Sequence, residues 1–202
     1  MSIFRRPGKI CKAQVYIKVL LIFSALSASG CALTKSADTF RDPNMDFGSI
    51  HTVAVMPFVN LSRDIAPAER VRDVFITALL ATGGVYVTPV GELNRGITRM
   101  GIAVPYAPST EETVKLGSFI KADALLIGTL REYGEVRSAS AMANAISLSM
   151  QMIETQTGRI VWSASTTLGG IGITDRLFGG GGEPMNPITE KAVDELINKL
   201  FP

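Results

Sequence analysis

Histidine and cysteine are almost missing from this chain, and with them most of the chemistry that side chains perform unaided. His51 is the only histidine among 202 residues. That excludes a histidine-rich metal centre and any pair of cooperating imidazoles. At the mouth of an apolar run, His51 reads as a solvated strand-end residue. The two cysteines, Cys11 and Cys31, both lie near the amino terminus, so the body of the chain has no thiol for a disulfide, a ligand or a nucleophile. A packed core must hold it together. Neither a G-x-S-x-G elbow nor a G-x-x-x-x-G-K-[ST] phosphate loop occurs. The carboxylates adjacent in sequence, Glu111 with Glu112 and Asp194 with Glu195, fall on helix positions expected to face water. No run of lysine and arginine follows residue 30, which argues against nucleic acid as a partner. The expectation is no enzyme, no metal and no cofactor.

What is present begins with charge of one sign. Arg5, Arg6, Lys9, Lys12 and Lys18 precede an apolar stretch from Val19 to Ser29, roughly 11 residues, the layout of a secretory signal. It is shorter than the ~20 residues a membrane-spanning helix needs. The small residues Ala28, Ser29 and Gly30, followed by Cys31, resemble the lipobox of bacterial lipoproteins, with Ala28 where that family usually has leucine. The resemblance implies that residues 1–30 are removed, that Cys31 carries the lipid, and that two or more acyl chains make a durable anchor. Ala32 stands where the sorting pattern for inner-membrane retention has aspartate. By resemblance this favours the outer membrane, with the protein facing the periplasm. Loss of residues 1–30 leaves 172 of the 202 residues, removes five of the 20 Lys and Arg and none of the 18 Asp and Glu, and turns a net charge of +2 into −3.

Residues 31–48 are polar, rich in turn formers and without apolar period, and read as the lipidated cysteine and a flexible tether. Stretched out, such a segment reaches at most ~60 Å. Thr52 to Val59 is a continuous β-branched run, a strand covered on both faces and ended by Pro57. Pro67 suits a first helical turn, and Val71, Phe75, Ala78 and Leu79 recur at helical spacing until Gly83-Gly84. A brief strand at Val85 to Thr88 precedes a helix marked by Val90, Leu93, Ile97 and Met100, ending at Gly101. Ser109 and Glu112 form a capping box opening a helix that runs to about Lys121. Ala124 to Leu130 is a second buried strand. From Ala141 to Ile153 Met142, Ile146, Leu148, Met150 and Met152 alternate with small or polar residues, and Gln156 to Arg159 turns the chain into a partner strand, Ile160 to Thr167. Met150 and Met152 read as core filling. Residues 169–185 are rich in glycine and carry the candidate partner-binding residues Gly170, Gly172, Asp175, Arg176 and Phe178. Asn186-Pro187 is expected to cap a final helix. The order β-α-β-α-α-β-β-β-α assigns the chain to the α/β class, leaning to α+β. It predicts a single globular domain over 49–202, with a mixed sheet and a carboxy-terminal hairpin followed by a helix.

Three stretches of that order, Val53 to Phe58, Lys121 to Gly128 and Thr157 to Ser163, resemble a group of bacterial envelope lipoproteins. The group includes the penicillin-binding-protein activator LpoB, the curli-secretion lipoprotein CsgG and related lipoproteins, and its fold is similar to the amino-terminal domain of TolB. None of the matching stretches is catalytic. The resemblance implies a non-enzymatic, protein-binding module in envelope assembly, anchored through lipid on Cys31 and docking an envelope protein. Activation of a peptidoglycan synthase, as in LpoB, and an oligomeric secretion pore, as in CsgG, stand as alternatives, so a homo-oligomer stays open.

Overall fold

The computed structural model describes residues 38–64, 66–138, 141–170 and 182–202. Among them the apolar run of the first half forms β2 (Thr52–Val55), buried on both faces. Pro57 has no N–H to continue the ladder, so the expected strand to Val59 is split and resumes as β3 (Val59–Asn60) beside a different part of the sheet. Helix α1 (Pro67–Ala81) starts on its proline and is followed by Gly83 at φ +63°. Strand β4 (Tyr86–Val87) leads to α2 (Val90–Met100), closed by left-handed Gly101. Helix α3 (Thr110–Ile120) carries the expected capping box, with both hydrogen bonds present. Then come β5 (Ala124–Ser138), β6 (Ala141–Glu154), β7 (Ile160–Gly169) and α4 (Met185–Leu200). With β1 (Thr39–Arg41) they build one α+β domain around a seven-stranded mixed sheet of order β1-β7-β6-β5-β2-β4, in which β3 also pairs with β5. Strands β2, β3 and β4 run parallel to their partners, and the rest pair antiparallel.

The sheet is covered on two faces by two pairs of helices. On one, α1 and α4 bury Phe75, Leu79, Val193 and Leu196 against Leu126, Leu148, Met150 and Trp162. Met150 and Met152 are core residues, as their alternation predicts, whereas Met142, at the start of the same alternation, is exposed. On the other, α2 and α3 bury Leu93, Leu116 and Ile120 against Ala54, Met56, Leu125, Ile127 and Ile153. Asp123 ties the parallel strands together at their start: its Oδ2 accepts from the amides of His51 (2.9 Å) and Thr52 (2.8 Å). His51 itself is exposed, and its Nδ1 lies 2.9 Å from the carbonyl oxygen of Ser49.

Two boundaries differ from expectation. The tether assigned to residues 31–48 is docked from Asp38 onward, because Thr39–Arg41 adds to the free edge of β7 in antiparallel register. Arg41 donates to the Leu200 carbonyl (2.9 Å) and stacks on the Phe47 ring (3.6 Å to its centroid). Three residues are too few to show a period, so only the exposed β7 edge reveals them as a strand. The last helix begins at Met185 with Pro184 as its N-cap and no side-chain cap, not at an Asn186-Pro187 cap. Pro187 lies in the first turn, where a missing N–H costs nothing.

Candidate docking surface

The strand after Asp123 is much longer than Ala124 to Leu130. It carries on to Ser138 because a bulge between Leu130 and Glu132 restarts the pairing with β6, which then runs from Glu132↔Ser147 to Ser138↔Ala141. The bulge shifts the alternation by one residue, and beyond it Glu132, Glu135 and Arg137 replace apolar side chains. Both changes hide the strand from a periodicity search. The nearest sequence signal was Tyr133, Gly134 and Val136, interleaved with charges.

On its other side β5 is paired with β2 and then β3, as far as the bond from Leu61 N to Leu130 O (2.8 Å). Among the described residues no strand other than β6 pairs with β5 from Arg131 to Ser138. Which amides face the open side follows from the ladder. In an antiparallel pair each residue points its N–H and C=O to one side, and the side alternates. The Asn144 carbonyl accepts from Gly170 N (2.8 Å), on the side away from β5. Its partner Glu135 therefore points its own amide away from β6, and Tyr133 and Arg137, two residues to either side, do the same.

This edge forms one wall of a groove of about 860 Å³, and the loop Leu61–Asp64 forms the other. The loop is shaped by Asn60, whose Oδ1 accepts from Ser62 N (3.0 Å) and Ser62 Oγ (2.7 Å). Leu61 is 63% exposed on the lip. Arg70 pairs with Asp64 at 3.8 Å and lies over the Tyr133 ring at 5.9 Å, and Arg137 pairs with Glu135 at 2.8 Å. Arg63, Arg131 and Glu132 line the same groove without an ion pair among the described residues.

Of the residues singled out by sequence, Cys31, Gly172, Asp175, Arg176 and Phe178 lie outside the described residues. Gly170 is described, and so are both ends of the glycine-rich stretch. Gly170 donates to Asn144 O, while Asn144 Nδ2 donates to Glu183 O (2.9 Å), so the stretch leaves and returns at the same β6 residue. Asn144 is the β6 residue paired with the Glu135 edge position of β5. Among the described residues no group of three His, Cys, Asp or Glu is placed to hold a metal ion. Among the described residues the side chains whose proton affinity is displaced, Asp38, Glu195 and Lys199, gather around β1 and α4. What the groove offers is backbone hydrogen bonds, an exposed leucine and mixed charge. That suits an added strand better than a reaction.

Comparison with known proteins gives the family and the fold. A family model described as "Putative lipoprotein GNA1162-like" matches residues 48–175. The crystal structure of lipoprotein GNA1162 from Neisseria meningitidis superposes with a TM-score of 0.52 at 19% identity, covering 75% of this chain and 98% of that one. A PelC dodecamer from Paraburkholderia phytofirmans gives 0.53 at 14% identity, covering 80% and 94%. The LpoB C-terminal domain from Salmonella enterica gives 0.47 at 18% identity, covering 63% and 87%. At these identities the likeness to GNA1162 and PelC is one of fold. Comparison with curated protein sequences gives no match.

Proposed function

The chain belongs to the GNA1162-like lipoprotein family, and from that premise we propose that it is a non-enzymatic docking module of the cell envelope. Lipid on Cys31 holds it at the periplasmic face of the outer membrane, and an extended segment of a partner protein adds to the open edge of β5. The observation that carries this reading is the run of edge amides at Tyr133, Glu135 and Arg137, which among the described residues face a groove rather than a neighbouring strand. Sheet edges of this length are usually shortened, bulged away or covered, because they recruit other strands. Here the bulge sits at the start of the edge, and the charges Arg131, Glu132, Glu135 and Arg137 keep it soluble. The same four charges weigh against a lipid-facing barrel hairpin, whose outer face must be an apolar band.

The test is substitution at Glu135, whose amide points to the open side. Glu135→Pro removes that donor while leaving the β5–β6 bonds in place, as proline on an edge strand can. A photoreactive side chain at Glu132 in the full-length chain should give a discrete crosslinked species in the cell envelope. The crosslink should disappear with Glu135→Pro and persist with Glu135→Ala. Crosslinking indifferent to the proline would sink strand addition at this edge.

A second reading, self-association, is favoured by two oppositely charged helical faces described below. A fold neighbour, PelC, crystallises as a dodecamer, which is consistent with it.

A further inference from the structure

Helices α1 and α4 pack side by side on one face of the sheet and leave a groove of about 460 Å³ between them. Val74, Ala78 and Ala81 form its apolar lining, and Asp73, Glu190 and Asp194 its rim. None of these three carboxylates has an ion pair among the described residues. The nearby cations are committed elsewhere: Lys191 to Glu183 (2.5 Å), Lys199 to Asp38 and Glu195 (2.8 and 2.7 Å), Arg70 to Asp64 (3.8 Å). On the opposite face, α2 and α3 present the reverse pattern. Arg95 and Arg99, one turn apart, flank Phe119, which is 40% exposed, and the Arg99 guanidinium lies 5.4 Å from its ring centroid. Glu92 is the one acidic residue lining that surface. Neither arginine has a carboxylate partner among the described residues, and like charges one turn apart repel.

We propose that these two faces are the halves of a head-to-tail contact between copies of this chain. Phe119 of one copy enters the apolar groove between α1 and α4 of the next, and Arg95 and Arg99 meet the rim of Asp73, Glu190 and Asp194. The aromatic ring is the anchor, and the charges set register and reject wrong partners. Within one molecule the faces cannot meet, because the sheet lies between them. Each copy carries one knob and one groove, so the contact is heterologous and propagates until it closes as a ring or continues as a filament. The inference rests on the self-association reading above and specifies its surfaces.

The experiment uses the full-length chain in isolated membranes, with the chain lacking added cysteines as background. Thr98→Cys places a thiol beside Phe119, and Thr77→Cys places one on the α1–α4 groove. Under mild oxidation the double variant should give a ladder of trimers and larger species. Each single variant should stay uncrosslinked, and a mixture of the two should stop at dimers. Arg95→Glu with Arg99→Glu should cut the ladder at least tenfold, and adding Asp73→Arg with Asp194→Arg should restore it. No ladder, while the unaltered chain still sediments as an assembly, would overturn this contact and leave self-association standing. A monomer in both measurements would overturn the two together. Dimers from a single variant would show a two-fold contact and equally refute the head-to-tail arrangement.

Discussion

Arg72, only 3% exposed, donates both Nε (3.2 Å) and Nη2 (2.7 Å) to the carbonyl oxygen of Val55. Val55 ends β2 on the side where β4 has already stopped, since the last bond between those strands is Thr88 N to Val53 O. The guanidinium thus completes a buried acceptor that the sheet leaves open just before Pro57. An unsatisfied buried carbonyl costs about 1–3 kcal/mol. Arg72→Met should lower the unfolding free energy by that amount, read by urea denaturation with an unchanged m-value. Arg72→Lys should recover part of it. The ion pair with Glu69, whose side chain is 64% exposed, is expected to contribute little.

Gly128 is where β5 passes under the Phe58 ring. A Cβ there would lie 2.5–2.7 Å from three ring atoms, inside van der Waals contact. Overpacking of this kind costs about 1–3 kcal/mol, so Gly128→Ala should destabilise by that amount in thermal or urea unfolding. Phe58→Leu in the same chain should give back a measurable share, because residues in contact are not additive. Additive losses would place the strain elsewhere.

Acid and base should each loosen the attachment of β1 to α4. The hydrogen bond from Lys199 and its charge hold the Asp38 carboxyl below the ordinary 3.8. For Glu195, partial burial pulls upward from 4.5, but hydrogen bonds from Lys199 and Thr166 outweigh it and the net direction is down. For Lys199, burial pulls downward, and the two carboxylates reverse it to a net rise above 10.5. The carboxylate contribution is therefore present above their unfolded values and lost as pH falls below about 4. The lysine contribution is present below its unfolded value and lost as pH climbs past about 10.5. Stability against pH should be flat between those limits, with Lys199→Met flattening both flanks and 1 M salt weakening them. A profile unchanged by Lys199→Met would refute the assignment.

The capping box is a smaller and cleaner case. Glu112 N donates to Ser109 Oγ (3.2 Å), and Ser109 N to Glu112 Oε2 (2.7 Å). Ser109→Ala should cost about 1 kcal/mol and lower the melting temperature by a few degrees. Ser109→Asn should be close to neutral.

The membrane anchor is tested without disturbing the fold. Cys31→Ser should shift the protein from the membrane to the soluble fraction while its melting temperature stays the same. Retention in the membrane fraction would count against lipid on Cys31.

Three of the four described helices were legible from a local signature, namely Pro67, the Ser109–Glu112 pair and Gly101 after Met100, while the last showed its apolar spacing but starts at Met185 and not at an Asn186-Pro187 cap. The strands with clean alternation, such as Ile146, Leu148, Met150 and Met152, were legible too. What escaped was long-range. Thr39–Arg41 is a strand only because β7 has a free edge, and β3 only because Pro57 turns the chain toward Leu130. The β5 edge was hidden by a single bulged residue that breaks the period.

Residue order alone determined the cysteine-free body, the four described helices and the strands with local periodicity, because each is written in neighbours a few positions apart. Tertiary structure alone decided which strand edge stays unpaired among the described residues, that Arg72 serves a carbonyl seventeen positions away, and that acidic and basic helical faces lie back to back. Those depend on which surfaces the sheet brings together or holds apart, and no local pattern encodes that choice.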